Sequence, residues 1–127
     1  MLQFIRLRSW WLATVWFILI SVLFFLPGSA LPKENTWMVQ VHFDKWVHFG
    51  LFAVLLFLWR MCFLKNTRSV DAIILLLAGI YGLSIELIQK EWIPNRSFDW
   101  FDLLADMVGS IAGVVFYMWV YKKNKPL

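Results

Sequence analysis

Four apolar runs alternate with polar connections along the chain. The first goes from Trp10 to Leu26 without a charge, behind Arg6 and Arg8, and Pro27, Gly28 and Pro32 then interrupt it. After an irregular connection over residues 27–45, the second run extends from about Asp44 to Leu64 and stops at the polar turn Lys65-Asn66-Thr67-Arg68. The third covers about Val70 to Lys90, before a turn at Trp92 to Ser97 that contains Pro94, and the fourth spans about Asp99 to Tyr121. At about 1.5 Å per residue, roughly 20 helical residues match a hydrocarbon core of about 30 Å. The pattern therefore predicts an all-α polytopic membrane protein. It is a bundle of four transmembrane helices in a single domain over residues 1–127, with spans at about 10–26, 46–64, 71–89 and 101–121. Gly28 and Ala30 would also suit a signal-peptide cleavage site, but the first run exceeds the usual apolar region of about 7–15 residues, which favours its retention as a helix.

Composition agrees. A chain of 127 residues that is 61% hydrophobic and 16% charged, with a mean hydropathy of +0.69, carries more apolar surface than one small soluble core can hide. Lipid is then its main solvent. The net charge of +4 is informative mainly through its placement. Arg6, Arg8, Arg60, Lys65, Arg68, Lys122, Lys123 and Lys125 fall on one side of the predicted spans, and Lys33, Lys45, Lys90 and Arg96 on the other. Basic residues near span ends stay in the cytoplasm, so both termini are expected there. Seven tryptophans, Trp10, Trp11, Trp59 and Trp119 inside and Trp46, Trp92 and Trp100 outside, fall at headgroup level, where an indole keeps its ring apolar and its N–H wet. Because topology accounts for the basic residues and no binding motif accompanies them, no nucleic-acid partner is expected. Cys62 is the single cysteine, which excludes an intrachain disulfide and a C-x-x-C site.

Candidate chemistry gathers near the predicted outer face. Asp44 and His48 lie four apart, so the carboxylate is placed to hold one ring nitrogen and raise the basicity of the imidazole. Glu86 and Gln89 share a helix face with Gly79 and Gly82, which predicts a face packed on a neighbouring helix with Glu86 turned inward. In the last helix Asp99, Asp102, Asp106, Gly109 and Gly113 stay within an arc of about 80°. That stripe is acidic at its outer end and small deeper in. The plainer reading of these charges is a salt-bridge network in which Lys45 and Arg96 neutralise carboxylates and tie the helices together. The functional reading is a polar pocket opening outward, because ionisable residues inside a membrane mark sites by default. Asp44, His48 and Glu86 are its candidate acid–base groups, Lys45, Gln89, Arg96, Asp99, Asp102 and Asp106 its ligand contacts. Glu86 and Asp102 are possible ligands of a divalent cation, for which oxygen-rich donors favour magnesium, calcium or manganese. Spacing alone leaves open whether the pocket is catalytic.

The string Asp44-Lys45-x-x-His48-Phe49, Glu86-x-x-Gln89 and Pro94-x-Arg96-x-x-Asp99-x-x-Asp102 before a glycine-rich helix resembles the VanZ-like family of small bacterial membrane proteins. The resemblance covers roughly Asp44 to Gly113 and departs from the family at Asp106, where asparagine is common. It implies a multi-pass protein of the bacterial inner membrane and cell envelope, whose namesake is associated with antibiotic resistance to the glycopeptide teicoplanin. From this follows the leading expectation, binding or modification of an anionic lipid headgroup or cell-wall precursor at the outer leaflet. Two alternatives stand beside it. One is a small ion or proton pathway or transporter subunit, which needs polar residues across the inner halves of the last two helices, where Ile, Leu, Val, Ala and Gly dominate. The other is an assembly partner in a larger membrane complex.

Overall fold

A computed structural model describes residues 2–27, 37, 42–63, 68–94 and 97–123, with side chains from Trp10 onward. It contains four long helices and, among the described residues, no strand: α1 (Leu2–Phe24), α2 (Phe43–Cys62), α3 (Arg68–Trp92) and α4 (Trp100–Lys123). Helices α2, α3 and α4 are long and apolar enough to cross a membrane, whereas the apolar stretch of α1 with described side chains, Trp10–Phe24, is shorter.

Local sequence sets the helix ends. Helix α1 stops before Pro27, which cannot continue it. Helix α2 is entered from His42, whose φ of 53° lies in the left-handed region, and Asp44 sits in its first turn where the helix dipole favours a carboxylate. Asp99 caps α4, its Oδ1 accepting the Phe101 N–H at 2.9 Å.

The closest pair of helices is α2 and α4. Glycine makes this possible, since a Cβ at Gly109 would overlap the Phe49 carbonyl and one at Gly113 the Ala53 carbonyl. Helix α1 packs on α2, and α3 on α4 and α2, while α1 and α4 make no close approach among the described residues. The glycine face expected on α3 does pack on α4, although against side chains. Gly82 faces Asp106 and Leu103, and Gly79 faces Met107. Ile20, Phe24, Phe52, Leu55, Leu56, Ile74, Ile85 and Val114 fill the middle of the bundle. Outward-facing residues such as Val15, Leu76, Ile80 and Val115 are more than half exposed, the surface a lipid-facing bundle presents.

Single polar contacts lock the helices together in a medium that offers no water. Trp16 Nε1 donates to the Leu51 carbonyl at 3.0 Å, and the hydroxyls of Ser21 and Tyr81 meet at 2.5 Å. Arg60, in the last turn of α2, is buried inside the bundle. Its Nε donates to Asp71 Oδ1 at 2.6 Å, and its guanidinium carbon lies 5.0 Å from the centre of the Tyr117 ring. A charge this far from water needs such a partner, and hydropathy around Arg60 did not reveal one.

Candidate functional site

The end of the bundle formed by the start of α2, the end of α3 and the start of α4 brings together Asp44, Lys45, His48, Glu86, Asp99, Asp102 and Asp106. Each arrives there for a local reason. The first turn of α2 carries Asp44 and Lys45 at the rim and His48 one turn deeper, while the acidic stripe of α4 descends from its cap through Asp102 to Asp106. Glu86 comes from α3 and accepts the backbone N–H of Asp99 on Oε2 at 3.0 Å, tying α3 to the cap of α4.

Lys45 organises the outer layer. Its ammonium donates to Asp44 Oδ2 at 2.5 Å and Asp99 Oδ2 at 2.6 Å. Asp102 Oδ1 lies 2.7 Å from the same nitrogen, off the line of a good hydrogen bond but close enough to be ion-paired. Three N–H donors thus face three carboxylates. Partial burial pushes the Asp99 carboxyl up, but the hydrogen bond from Lys45 and the Phe101 N–H outweigh it, and Asp99 titrates below its ordinary range.

The inner layer differs. His48 Nδ1 lies 2.6 Å from Asp106 Oδ1, and both residues are buried. The ring packs against Phe24 with centroids 4.7 Å apart, which fixes its plane. His48 Nε2 looks back toward Asp102 Oδ2 across 3.6 Å, too far for a hydrogen bond. Glu86 and Asp106 are fully buried, and Glu86 Oε1 and Asp106 Oδ2 meet no hydrogen-bond partner among the described residues. His48, Glu86 and Asp106 each offer a donor atom within 4.8 Å of the others, as do Asp44, Asp99 and Asp102. The second trio already surrounds the Lys45 ammonium. In the first trio the group that can carry positive charge is His48 itself, when protonated.

One sequence expectation changes. The pairing of Asp44 with His48 is overturned: Asp44 binds Lys45, and Asp106 holds the imidazole. Residues four apart share a face, but they differ by about 40° around the helix. That rotation leaves the Asp44 side chain at the rim, 43% exposed, and turns His48 into the bundle, where a carboxylate from another helix reaches it. Gln89, expected among the ligand contacts, donates Nε2 to the Phe24 carbonyl at 2.7 Å, satisfying a backbone acceptor at the end of α1. Arg96, like Lys33 and Lys65, lies outside the described residues. Two further residues shape the site: Asp99 as the cap of α4, signalled in the chain by an acidic residue just before an apolar run, and Phe24, which nothing in its lipid-like run distinguishes.

Comparison with known proteins follows the same residues. The VanZ/LLP1 family profile matches residues 2–121. An uncharacterized protein of Schizosaccharomyces pombe is 25% identical over 108 residues, covering 84% of this chain and 60% of the relative, so the chain spans less than two thirds of that protein. No solved structure matches.

Proposed function

The chain belongs to the VanZ/LLP1 family of membrane proteins, and from that premise we propose that it binds the phosphate or carboxylate of an anionic headgroup or cell-wall precursor at the outer leaflet, with a cation as intermediary. In this reading the chain is one domain of four transmembrane helices, α1 included, with both termini in the cytoplasm of the cell's inner membrane. The observation that carries it is the imbalance at the acidic end. Five carboxylates converge there with one lysine and one histidine. Such a site repels a bare anion, and a bound divalent cation reverses the sign. Lys45 and the rim carboxylates then orient the ligand, and Arg96, expected in the adjoining turn, adds a second positive group.

The layer of Ile20, Phe52, Leu55, Leu56, Ile74, Ala78, Ile85 and Val114 supports a closed pocket over a conduction path, because none of these side chains is ionisable and the Tyr81 hydroxyl packed against them is bonded to Ser21. Binding is tested with the full chain in detergent. Short-chain phosphatidylglycerol and a lipid-linked pyrophosphate precursor serve as separate probes, phosphatidylcholine as the neutral control. Saturable binding of one anionic probe, weakened about tenfold or more by Lys45→Ala and lost in chelator, is expected from a desolvated charge contact of about 1.5–3 kcal/mol. Equal affinity for the neutral and anionic probes would refute the reading.

In cells, Glu86→Gln and Asp102→Asn are expected to keep folded yield in membranes and alter glycopeptide susceptibility. Loss of yield in both would assign the charges to holding the helices together.

A further inference from the structure

The two trios at the acidic end are not equivalent. Around Lys45 the carboxylates share an ammonium at 2.5–2.7 Å. One turn deeper, two buried carboxylate oxygens lack any hydrogen-bond partner among the described residues, and a histidine nitrogen faces a carboxylate oxygen across a gap that no hydrogen bond spans. In an apolar bundle an acceptor left without a partner keeps its full desolvation penalty, which is larger for a charged oxygen. Something positive belongs in that space.

We propose that the space between the deeper trio and Asp102 is a site for a divalent transition metal of the zinc class, with His48 Nε2, the orphaned Glu86 Oε1 and Asp102 Oδ2 as ligands and Asp106, the third member of that trio, orienting His48 rather than binding the metal. The 3.6 Å between His48 Nε2 and Asp102 Oδ2 is what two bonds of about 2.1 Å span when opened to about 118°, near the tetrahedral range. Asp106 accepts from Nδ1, which leaves the lone pair on Nε2, the arrangement by which a carboxylate behind a histidine fixes the tautomer of a metal ligand. Glu86 is held from behind as well, since Oε2 takes the Asp99 N–H while Oε1 stays free. An imidazole in the set shifts preference from magnesium, calcium and manganese toward zinc, for which cobalt serves as a spectroscopic substitute. Three protein ligands leave one position open. That position is where the anion of the proposed headgroup binding would attach, so the inference supplies the cation on which that reading rests.

The test uses purified full-length protein in detergent, stripped with chelator and titrated with Co2+, whose d–d absorption reports the ligand field, and with Zn2+ followed by elemental analysis. Wild type is expected to take up one ion per chain and to gain thermal stability with zinc. Asp106→Asn weakens the affinity about 10–100-fold, as removal of an orienting carboxylate does. His48→Ala abolishes the cobalt spectrum, and Ser84→Ala, whose exposed hydroxyl only bonds the Ile80 carbonyl of its own helix, binds like wild type. Should His48→Ala fail to fold, Asp102→Asn at the partly exposed rim gives the same comparison. Folded wild type that takes up neither ion, or a folded His48→Ala that binds as tightly as wild type, overturns the metal site. No lipid enters these measurements. Metal uptake without anionic-probe binding therefore defeats the headgroup reading alone, and probe binding that survives chelator defeats the metal together with the cation's part in that reading, leaving anion binding itself standing.

Discussion

Gly113→Leu is expected to remove folded protein from the membrane, and Gly109→Ala and Gly113→Ala to lower the unfolding midpoint sharply. At both positions a Cβ would overlap backbone of α2, at the Phe49 and Ala53 carbonyls. Backbone cannot rotate out of the way as a flexible side chain can, so the helices must separate. Overpacking ordinarily costs about 1–3 kcal/mol, and a methyl against a carbonyl oxygen in the tightest helix pair belongs at or above the top of that range. The control is internal: a Cβ at Gly50 meets nothing within 4 Å, and one at Gly79 only the flexible Met107 side chain at ordinary contact distance. Thermal unfolding in detergent should separate the four alanine variants into two groups. Similar midpoints for Gly113→Ala and Gly50→Ala would mean that α2 and α4 are not in backbone contact.

The second large effect lies at the opposite end. Asp71→Leu is expected to cost about 3–5 kcal/mol, because it strips the carboxylate from an arginine that is 1% exposed. Arg60→Met combined with Asp71→Leu should recover much of that loss, since a well-packed apolar pair avoids the desolvation of two ions. A double-mutant cycle on unfolding free energies measures the coupling directly. Additive losses would show that Asp71 does not hold Arg60, and would return Arg60 to the role of an ordinary wetted charge at the membrane edge.

These two predictions draw on different layers of information. Gly109 and Gly113 were legible in the chain as a small-residue stripe continuous with Asp102 and Asp106, because helical periodicity fixes which residues share a face. The partner of that stripe was not legible, since many faces of an apolar bundle accept a glycine ridge. Nor was the depth of Arg60. An arginine near the end of an apolar run reads as a snorkelling charge unless a carboxylate from another helix meets it.

For this protein, sequence by itself determined that the chain is helical and membrane-embedded. Runs of about 20 apolar residues must satisfy their backbone internally in lipid, and the helix does so within one segment. It also determined which ionisable residues collect at one end, because alternating runs bring the end of one helix beside the start of the next. Only the tertiary structure decided how those residues divide their work. Lys45 neutralises Asp44, Asp99 and Asp102, while His48 turns away from its neighbour on the same helix to Asp106 on another. Pairing of charges depends on distances between helices, and these are set by the glycines of α4 against the backbone of α2, a contact that no period along a single chain encodes.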